Sequence, residues 1–419
     1  MPSIVRRILP LLPILFIFPA LPSAAGEHWP QFRGPGQQGH ADSTGLPQTW
    51  SETQNVKFRT PIPGEGWSSP VVWGKQVWMT TATDGGHSLR AVCVDRDTGA
   101  IVHNVEVFRV EKLAPKNSFN SYASPTPVLE AGRVYVSFGT YGNACLNAAT
   151  AKPIWKSTEL KLDHKEGPGS SPVLYKNLFI LHCDGMDVQY VVALDKHTGK
   201  IAWKTDRKTD FGNKPGDLRK AYSVPLLINE NGRDRMISVG AYRVFCYDPS
   251  DGKEIWSCAI PGFSNVPRPV YRDGVVYVCT GYMTPELWAI RTGGGGDVTP
   301  SHVLWKFKQG VSAKPSVLLV GGEIYMIADT GIARCIDAKT GQQLWQHRLE
   351  GKYTASPLFA DGHLYFFSED GLTTVTRPSR QGPDVVAENE LDGRFMASPA
   401  VAGKAMFLRT DKALYRVEQ

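Results

Sequence analysis

Arg268 and Lys314 are the residues in this 419-residue chain whose type and position most suggest binding chemistry. Each stands immediately before a proline that opens an apolar strand. The same position in six other stretches is Ser69, Thr126, Ser171, Val224, Ser356 and Ser398, a small and mostly hydroxylated set. Trp67, Tyr122, Tyr222 and Tyr353 lie close to those positions. If the set lines a central funnel, two cations among aromatic rings suit a planar anion or the acidic side chain of a peptide. Buried ion pairing or bonds to carbonyls would be the purely structural use of the same two cations.

Other reactive residue types do not assemble into a recognisable machine. The ten histidines are dispersed, with no pair at the spacing a zinc site on one element needs. His182-Cys183-Asp184 is the densest cluster of ligand types, but it ends a strand, where neighbouring side chains point to opposite faces. Gly293-Gly294-Gly295-Gly296 lacks the Lys-Ser/Thr of a phosphate loop. There is no Gly-x-Ser-x-Gly elbow and no protein-kinase motif set. No catalytic residue and no metal ligand is assigned on this reading. Of the seven cysteines, Cys93, Cys145, Cys246 and Cys335 each stand two residues before an Asp or Asn (Asp95, Asn147, Asp248, Asp337), and Ala193 and Ala289 fill that slot elsewhere. A slot that takes only Cys or Ala is a small buried strand position. Cys246 and Cys258 are the one pair that could meet across a hairpin.

These residues are positioned by a repeat. Small or polar residues, a proline and an apolar strand recur at Pro70, Pro127, Pro172, Pro225, Pro269, Pro315, Pro357 and Pro399. The spacings are 57, 45, 53, 44, 46, 42 and 42 residues, the length of a propeller blade. A second alternating strand follows, as in Arg133-Val134-Tyr135-Val136 and His363-Leu364-Tyr365-Phe366. A third runs into an Asp turn, seen in Asp195-Lys196-His197-Thr198-Gly199 and Asp337-Ala338-Lys339-Thr340-Gly341, and a Trp eight residues after the Asp begins the fourth. The last copy stops before its Asp turn. Its missing strand is Val56-Lys57-Phe58-Arg59-Thr60, because Phe58 precedes Pro70 by 12 residues, as Trp345 precedes Pro357. The fold expected is all-β: an eight-bladed β-propeller closed by N- and C-terminal strands that share one blade.

Arg6 and Arg7, the apolar run Ile8–Leu21 and Ser23-Ala24-Ala25 read as a signal peptide over residues 1–25, cleaved near Ala25/Gly26. This predicts export to a periplasm or beyond the cell, and no later stretch is apolar for long enough to span a membrane. Residues 1–25 hold two basic residues and no acid, so their loss lowers the formal net charge from +6 to +4. The remaining basic residues are scattered, which gives no sign of a nucleic-acid partner. Residues 26–54, with Trp29-Pro30-Gln31-Phe32-Arg33-Gly34-Pro35-Gly36, are expected to pack on the ring as a strap, and 55–419 to form the propeller.

The Asp-x-x-Thr-Gly-x-x-x-Trp turn resembles the repeat of the PQQ-like β-propeller family, which takes in BamB-like propellers and quinoprotein dehydrogenases. An exported subgroup is similar at Trp29–Gly36, Cys183–Tyr190, Val266-Pro267-Arg268-Pro269-Val270 and Thr280-Gly281-Tyr282. The resemblance implies the propeller across the mature chain, and either a binding scaffold or an enzyme. Quinoprotein enzymes of this family hold PQQ against Ca²⁺ in the funnel, with a carboxylate base and usually two adjacent cysteines. No two cysteines here are adjacent. The favoured reading is therefore a non-catalytic exported scaffold holding a protein, peptide or polysaccharide on its funnel face and loops, with no cofactor. A PQQ-binding oxidoreductase, or another enzyme acting in the funnel, is the alternative.

Overall fold

The computed structural model describes residues 26–419, and the expected signal peptide lies outside the described residues. Eight antiparallel sheets stand around a channel, each with the next strand of the chain further from the axis. Blade 1 is Val71–Trp73, Gln76–Thr83, Ser88–Asp95 and Ile101–Arg109. Blades 2 to 7 repeat it, with inner strands Val128–Glu130, Val173–Tyr175, Leu226–Glu230, Val270–Arg272, Leu318–Val320 and Leu358–Ala360. Blade 8 is composite: Ala400–Ala402, Ala405–Arg409 and Ala413–Val417 take Val56–Pro61 as their outer strand. In that pairing Phe58 faces Arg416, Arg59 faces Tyr415 and Thr60 faces Leu414.

The shared turn explains how blades adhere. Asp195 Oδ1 accepts the N–H of His197 (3.0 Å), the N–H of Thr198 (2.9 Å) and the Thr198 hydroxyl (2.9 Å). Gly199 follows at φ 74°, where a side chain would be strained, and a Cβ there would lie 2.6 Å from the Trp155 ring of blade 2. The Trp155 indole N–H in turn donates to Lys196 O at 2.8 Å. Where a ring stands at this register of the outer strand, as at Trp155, it wedges against the turn of the next blade. Phe58 does the same across the seam, with its ring 2.6 Å from the position a Cβ on Gly99 would take. Blade 8 is thus docked on blade 1 by the same contact that joins blades 3 and 4, Trp203 against Gly252, and blades 5 and 6, Trp305 against Gly341.

All seven cysteines are buried and free. Cys246 faces Trp256 and Cys258 faces Val244 across the hairpin, so the pairing considered for Cys246 and Cys258 is not made.

Candidate functional site

The channel wall is built at one register, two residues before each inner strand. Ser398 donates its backbone N–H to Ser69 Oγ (3.1 Å), Ser69 to Thr126 Oγ1 (3.0 Å) and Thr126 to Ser171 Oγ (2.9 Å). On the other side Arg268 donates to Ser316 Oγ (2.9 Å), Ser316 to Ser356 Oγ (3.0 Å) and Ser356 to Ser398 Oγ (2.9 Å). This hoop of hydroxyls runs from blade 5 through blades 8 and 1 to blade 3. It breaks at blade 4, where Val224 has no hydroxyl to offer.

The hoop corrects one expectation. In blade 6 the proline precedes the hoop position instead of following it, so Ser316, not Lys314, is the equivalent of Ser356. Lys314 stands two residues earlier, level with Trp67 and Tyr222. Arg268 does occupy the hoop, but its guanidinium turns away from Lys314. It donates to Phe32 O (2.8 Å), Gln37 Oε1 and Pro225 O, and is 1% exposed. The two cations face opposite ends of the channel rather than one pocket.

The end that Arg268 faces is covered by residues 29–41. Trp29 exchanges two backbone hydrogen bonds with Val72, Pro30 O accepts from Leu129 N, and Gln37 Oε1 accepts from Leu227 N. Gln38 Oε1 accepts from Tyr271 N, Gly39 O from Phe359 N, and His40–Ala41 pair in parallel with Phe359–Ala360. The innermost strands leave one row of backbone groups without a sheet partner, and the strap pairs with that row in blades 1, 2, 4, 5 and 7. Trp29, Leu46 and Trp50 of residues 26–54 are buried in the largest hydrophobic cluster, beside blades 7, 8 and 1.

The other end, the crown, is formed by loops between blades and between second and third strands. Lys314 Nζ lies 3.3 Å from Glu369 and 3.8 Å from Asp329, and sits 4.1 Å from the Phe119 ring centroid. Arg394 approaches the same ring at 5.7 Å and Glu369 at 3.7 Å. The Trp67 indole N–H donates to Phe119 O at 3.1 Å, so Trp67, Lys314 and Phe119 meet at the mouth. Burial pushes the Asp329 carboxyl up, against the pull of Lys314 and the N–H groups of Ala313 and Lys314. Tyr122 is half-buried and donates to Ala114 O (2.8 Å) on the loop that carries Phe119. Tyr222 and Tyr353 are buried, and their hydroxyls donate to His164 O and Glu350 O.

Next to this mouth lies a cleft of about 820 Å³ over blades 6 to 8, lined among others by Arg348, Lys352, Glu369, Arg394, Asp411 and Lys412. Arg348 and Lys352 make no ion pair among the described residues, whereas Arg394 and Lys412 do. Reading the sequence for prolines missed these groups. Their signal was a second, shorter recurrence at the blade crossings, Leu349-Glu350-Gly351-Lys352-Tyr353 and Leu391-Asp392-Gly393-Arg394-Phe395. Across the crown, Phe211, Tyr242, Phe263 and Tyr282 form a chain of ring contacts at 6.3–6.5 Å that ends beside exposed Met283.

A closed ring of eight four-stranded blades, joined by Asp turns and outer-strand rings, defines a repeat β-propeller of the PQQ-like class. The chain belongs to the family described as outer membrane protein assembly factor BamB, whose model matches residues 47–205, 188–298 and 297–382. It is 24% identical over 215 residues to the outer membrane protein assembly factor BamB of Legionella pneumophila (strain Paris), covering 48% of this chain and 51% of that protein. It is 27% identical over 206 residues to the Yersinia pestis BamB, covering 44% and 48%. The chain thus spans about half the length of these two relatives. Tetrathionate hydrolase of Acidithiobacillus ferrooxidans is 22% identical over 362 residues, covering 67% of this chain and 70% of that one. Among solved structures, a europium-containing methanol dehydrogenase superposes with TM-score 0.69 at 11% identity, over 93% of this chain and 91% of the other. BamB from Moraxella catarrhalis superposes with TM-score 0.58 at 11% identity, over 86% and 99%. At such identities the superpositions establish the fold alone.

The quinoprotein neighbours make PQQ the cofactor to test against the channel. Its residues do not match what that chemistry needs. The mouth is crossed by Phe119 between Lys314 and Arg394, the hoop arginine is consumed by the strap, and the cysteines are single and buried. Among the described residues no three His, Cys, Asp or Glu side chains converge as a metal site. No helix among them is long and apolar enough to cross a membrane.

Proposed function

We propose that this protein is an exported binding scaffold that holds an acidic segment of a partner polypeptide on its crown, without catalysing a reaction. One observation carries the reading: the crown cleft is open and presents Arg348 and Lys352 without carboxylate partners among the described residues, while the opposite end of the channel is closed. Cations in a concavity recognise carboxylates at modest desolvation cost, and complementary charge steers encounter. The aromatic chain from Phe211 to Tyr282 widens the face a polypeptide could cover. Membership of the BamB family supports a protein partner over a small substrate.

The test is fluorescence anisotropy with a fluorescein-labelled acidic peptide. The double variant Arg348→Glu/Lys352→Glu should bind it at least about tenfold more weakly, since each such contact contributes on the order of 1–3 kcal/mol, with an unchanged melting temperature. Binding that survives the double variant contradicts the crown as the site. A quinone absorbance that stays with the protein through gel filtration, after incubation with PQQ and Ca²⁺, contradicts the non-catalytic reading.

A further inference from the structure

The guanidiniums buried deeply in this ring are accommodated in different ways. Arg207, sealed between blades 3 and 4, is held by both oxygens of Asp184 at 2.6 and 2.8 Å. Arg409 is buried alone and without a carboxylate; one of its nitrogens donates to Ser68 O, Ser68 Oγ and Thr80 O, and its Nε has no protein acceptor. Arg33 and Arg268 differ from Arg207 in having no carboxylate, and from Arg409 in being two such cations close together. Arg268 donates to Phe32 O, next to Arg33 in the chain, and Arg33 donates to Val317 O, next to the Ser316 whose hydroxyl accepts from the Arg268 N–H. Arg33 and Arg268 are 2% and 1% exposed and have no carboxylate partner among the described residues. Residues 1–25 contain no acid that could supply one.

Their hydrogen bonds are also incomplete. Arg33 donates from one terminal nitrogen to Gln38 O (2.6 Å) and Val317 O (2.7 Å), which leaves its Nε and Nη1 buried without an acceptor. Arg268 spends both terminal nitrogens on Phe32 O, Gln37 Oε1 and Pro225 O, and its Nε is likewise buried and unanswered. Two buried like charges, neighbours through Phe32 and Val317, carry three donor nitrogens with no protein acceptor, an arrangement that is costly unless a negative charge is present. Neighbouring groups register the excess. Burial and then the charges of Arg33 and Arg272 push His40 down to about 4. Burial, Arg207 and, more weakly, Arg268 hold His182 well below its ordinary range. Burial and then Arg33 depress Arg268 itself.

We propose that Arg33 and Arg268 together hold a small inorganic anion of halide size at the strap end of the channel, where the hydroxyl hoop is broken at Val224. The leftover donors are all N–H groups on guanidinium cations, and a spherical anion accepts several of these without a directional demand. The strap crosses this end through Pro30, Phe32, Gln37 and Gly39, so a carboxylate on a partner polypeptide has no route in, whereas a free ion can be enclosed as the strap docks. The site is structural in effect: it supplies the counter-charge that lets the strap close over the gap in the hoop. It is independent of what the crown binds.

Thermal melting of the full mature protein in sodium chloride and in sodium gluconate at equal ionic strength tests this. The parent should melt roughly 2–4 °C higher in chloride, the shift expected of a ligand bound only by the folded state. Arg33→Leu and Arg268→Leu should each lose that difference, and Lys352→Gln should keep it. A parent with equal melting temperatures in both salts overturns the proposal, as does a chloride response that persists in both arginine variants. Should either variant fail to fold, crystals of the parent grown with bromide give a direct answer. An anomalous peak within hydrogen-bond reach of Arg33 and Arg268 is expected, and its absence overturns the site.

Discussion

The two ends of the channel use the same inner strands in opposite ways. At the strap end the unpaired backbone groups of the first strands find acceptors and donors in residues 29–41, and charge is buried. At the crown end the chain leaves in loops, the charges stay partly hydrated, and their ion pairs are ones that salt screens. The lesson is one of division: structure is concentrated where the backbone needs satisfying, and recognition is left where side chains remain free to meet something else. Five experiments can break or sharpen this contrast.

The largest effect belongs to the seam. Deleting Val56–Pro61 exposes the edge of Ala413–Val417 and removes the Phe58 wedge, so the product should aggregate on gel filtration and lose its cooperative melting transition. A deletion that melts like the parent would remove the shared blade from the account. Next comes Trp29→Ala in the strap, expected to cost about 3–5 kcal/mol in denaturant unfolding, against less than about 1 kcal/mol for Phe119→Ala in the crown. Equal costs would erase the difference between the ends.

Much of this was legible in the sequence, and the failures are instructive. The closing strand was found because Phe58 keeps the 12-residue distance to its proline that Trp345 keeps. The rings of Trp155, Trp203 and Trp305 do act as wedges, and the glycine of the Asp turn leaves room for each of them. Lys314 was misplaced because proline marks a local backbone preference and not the strand register, and in blade 6 the two part company around Ser316. Arg268 was found at the right register, but its direction depends on Phe32 and Gln37, more than 200 residues away, and no spacing rule reports that. The crown cleft was missed for a related reason. Lys352 and Arg394 are ordinary surface cations until blades 6 to 8 bring them together.

Gly199→Ala comes third, at roughly 2 kcal/mol or more, because it combines a positive φ with a clash against Trp155. Trp155→Leu in the same chain should recover part of that loss, which a double-mutant cycle measures. Fourth is pH, to which both ends contribute. His40 at the strap and His164 beneath the crown are each held at about 4, mainly by burial, below the ordinary 6.5. Between those values these two sites bind more protons in the unfolded chain than in the folded one, so their contribution to stability falls as pH drops from 6.5 towards about 4. His40→Asn and His164→Asn should each flatten the dependence of melting temperature on pH across that window, and an unchanged slope would remove the histidine concerned from the account. The smallest effect is expected of Lys352→Glu, which should move stability by less than about 0.5 kcal/mol in denaturant melts, since its cation is hydrated and unpaired.

Native-state hydrogen exchange tests the sealed strap end most directly. The amides of Trp29, Gly39, Leu129, Leu227 and Phe359 should exchange only when the whole protein unfolds, with the free energy of global unfolding, while that of Lys352 in a crown loop exchanges far faster. Strap amides that exchange at the rate of an open loop, under conditions where the blades stay protected, would show that the channel is open at both ends.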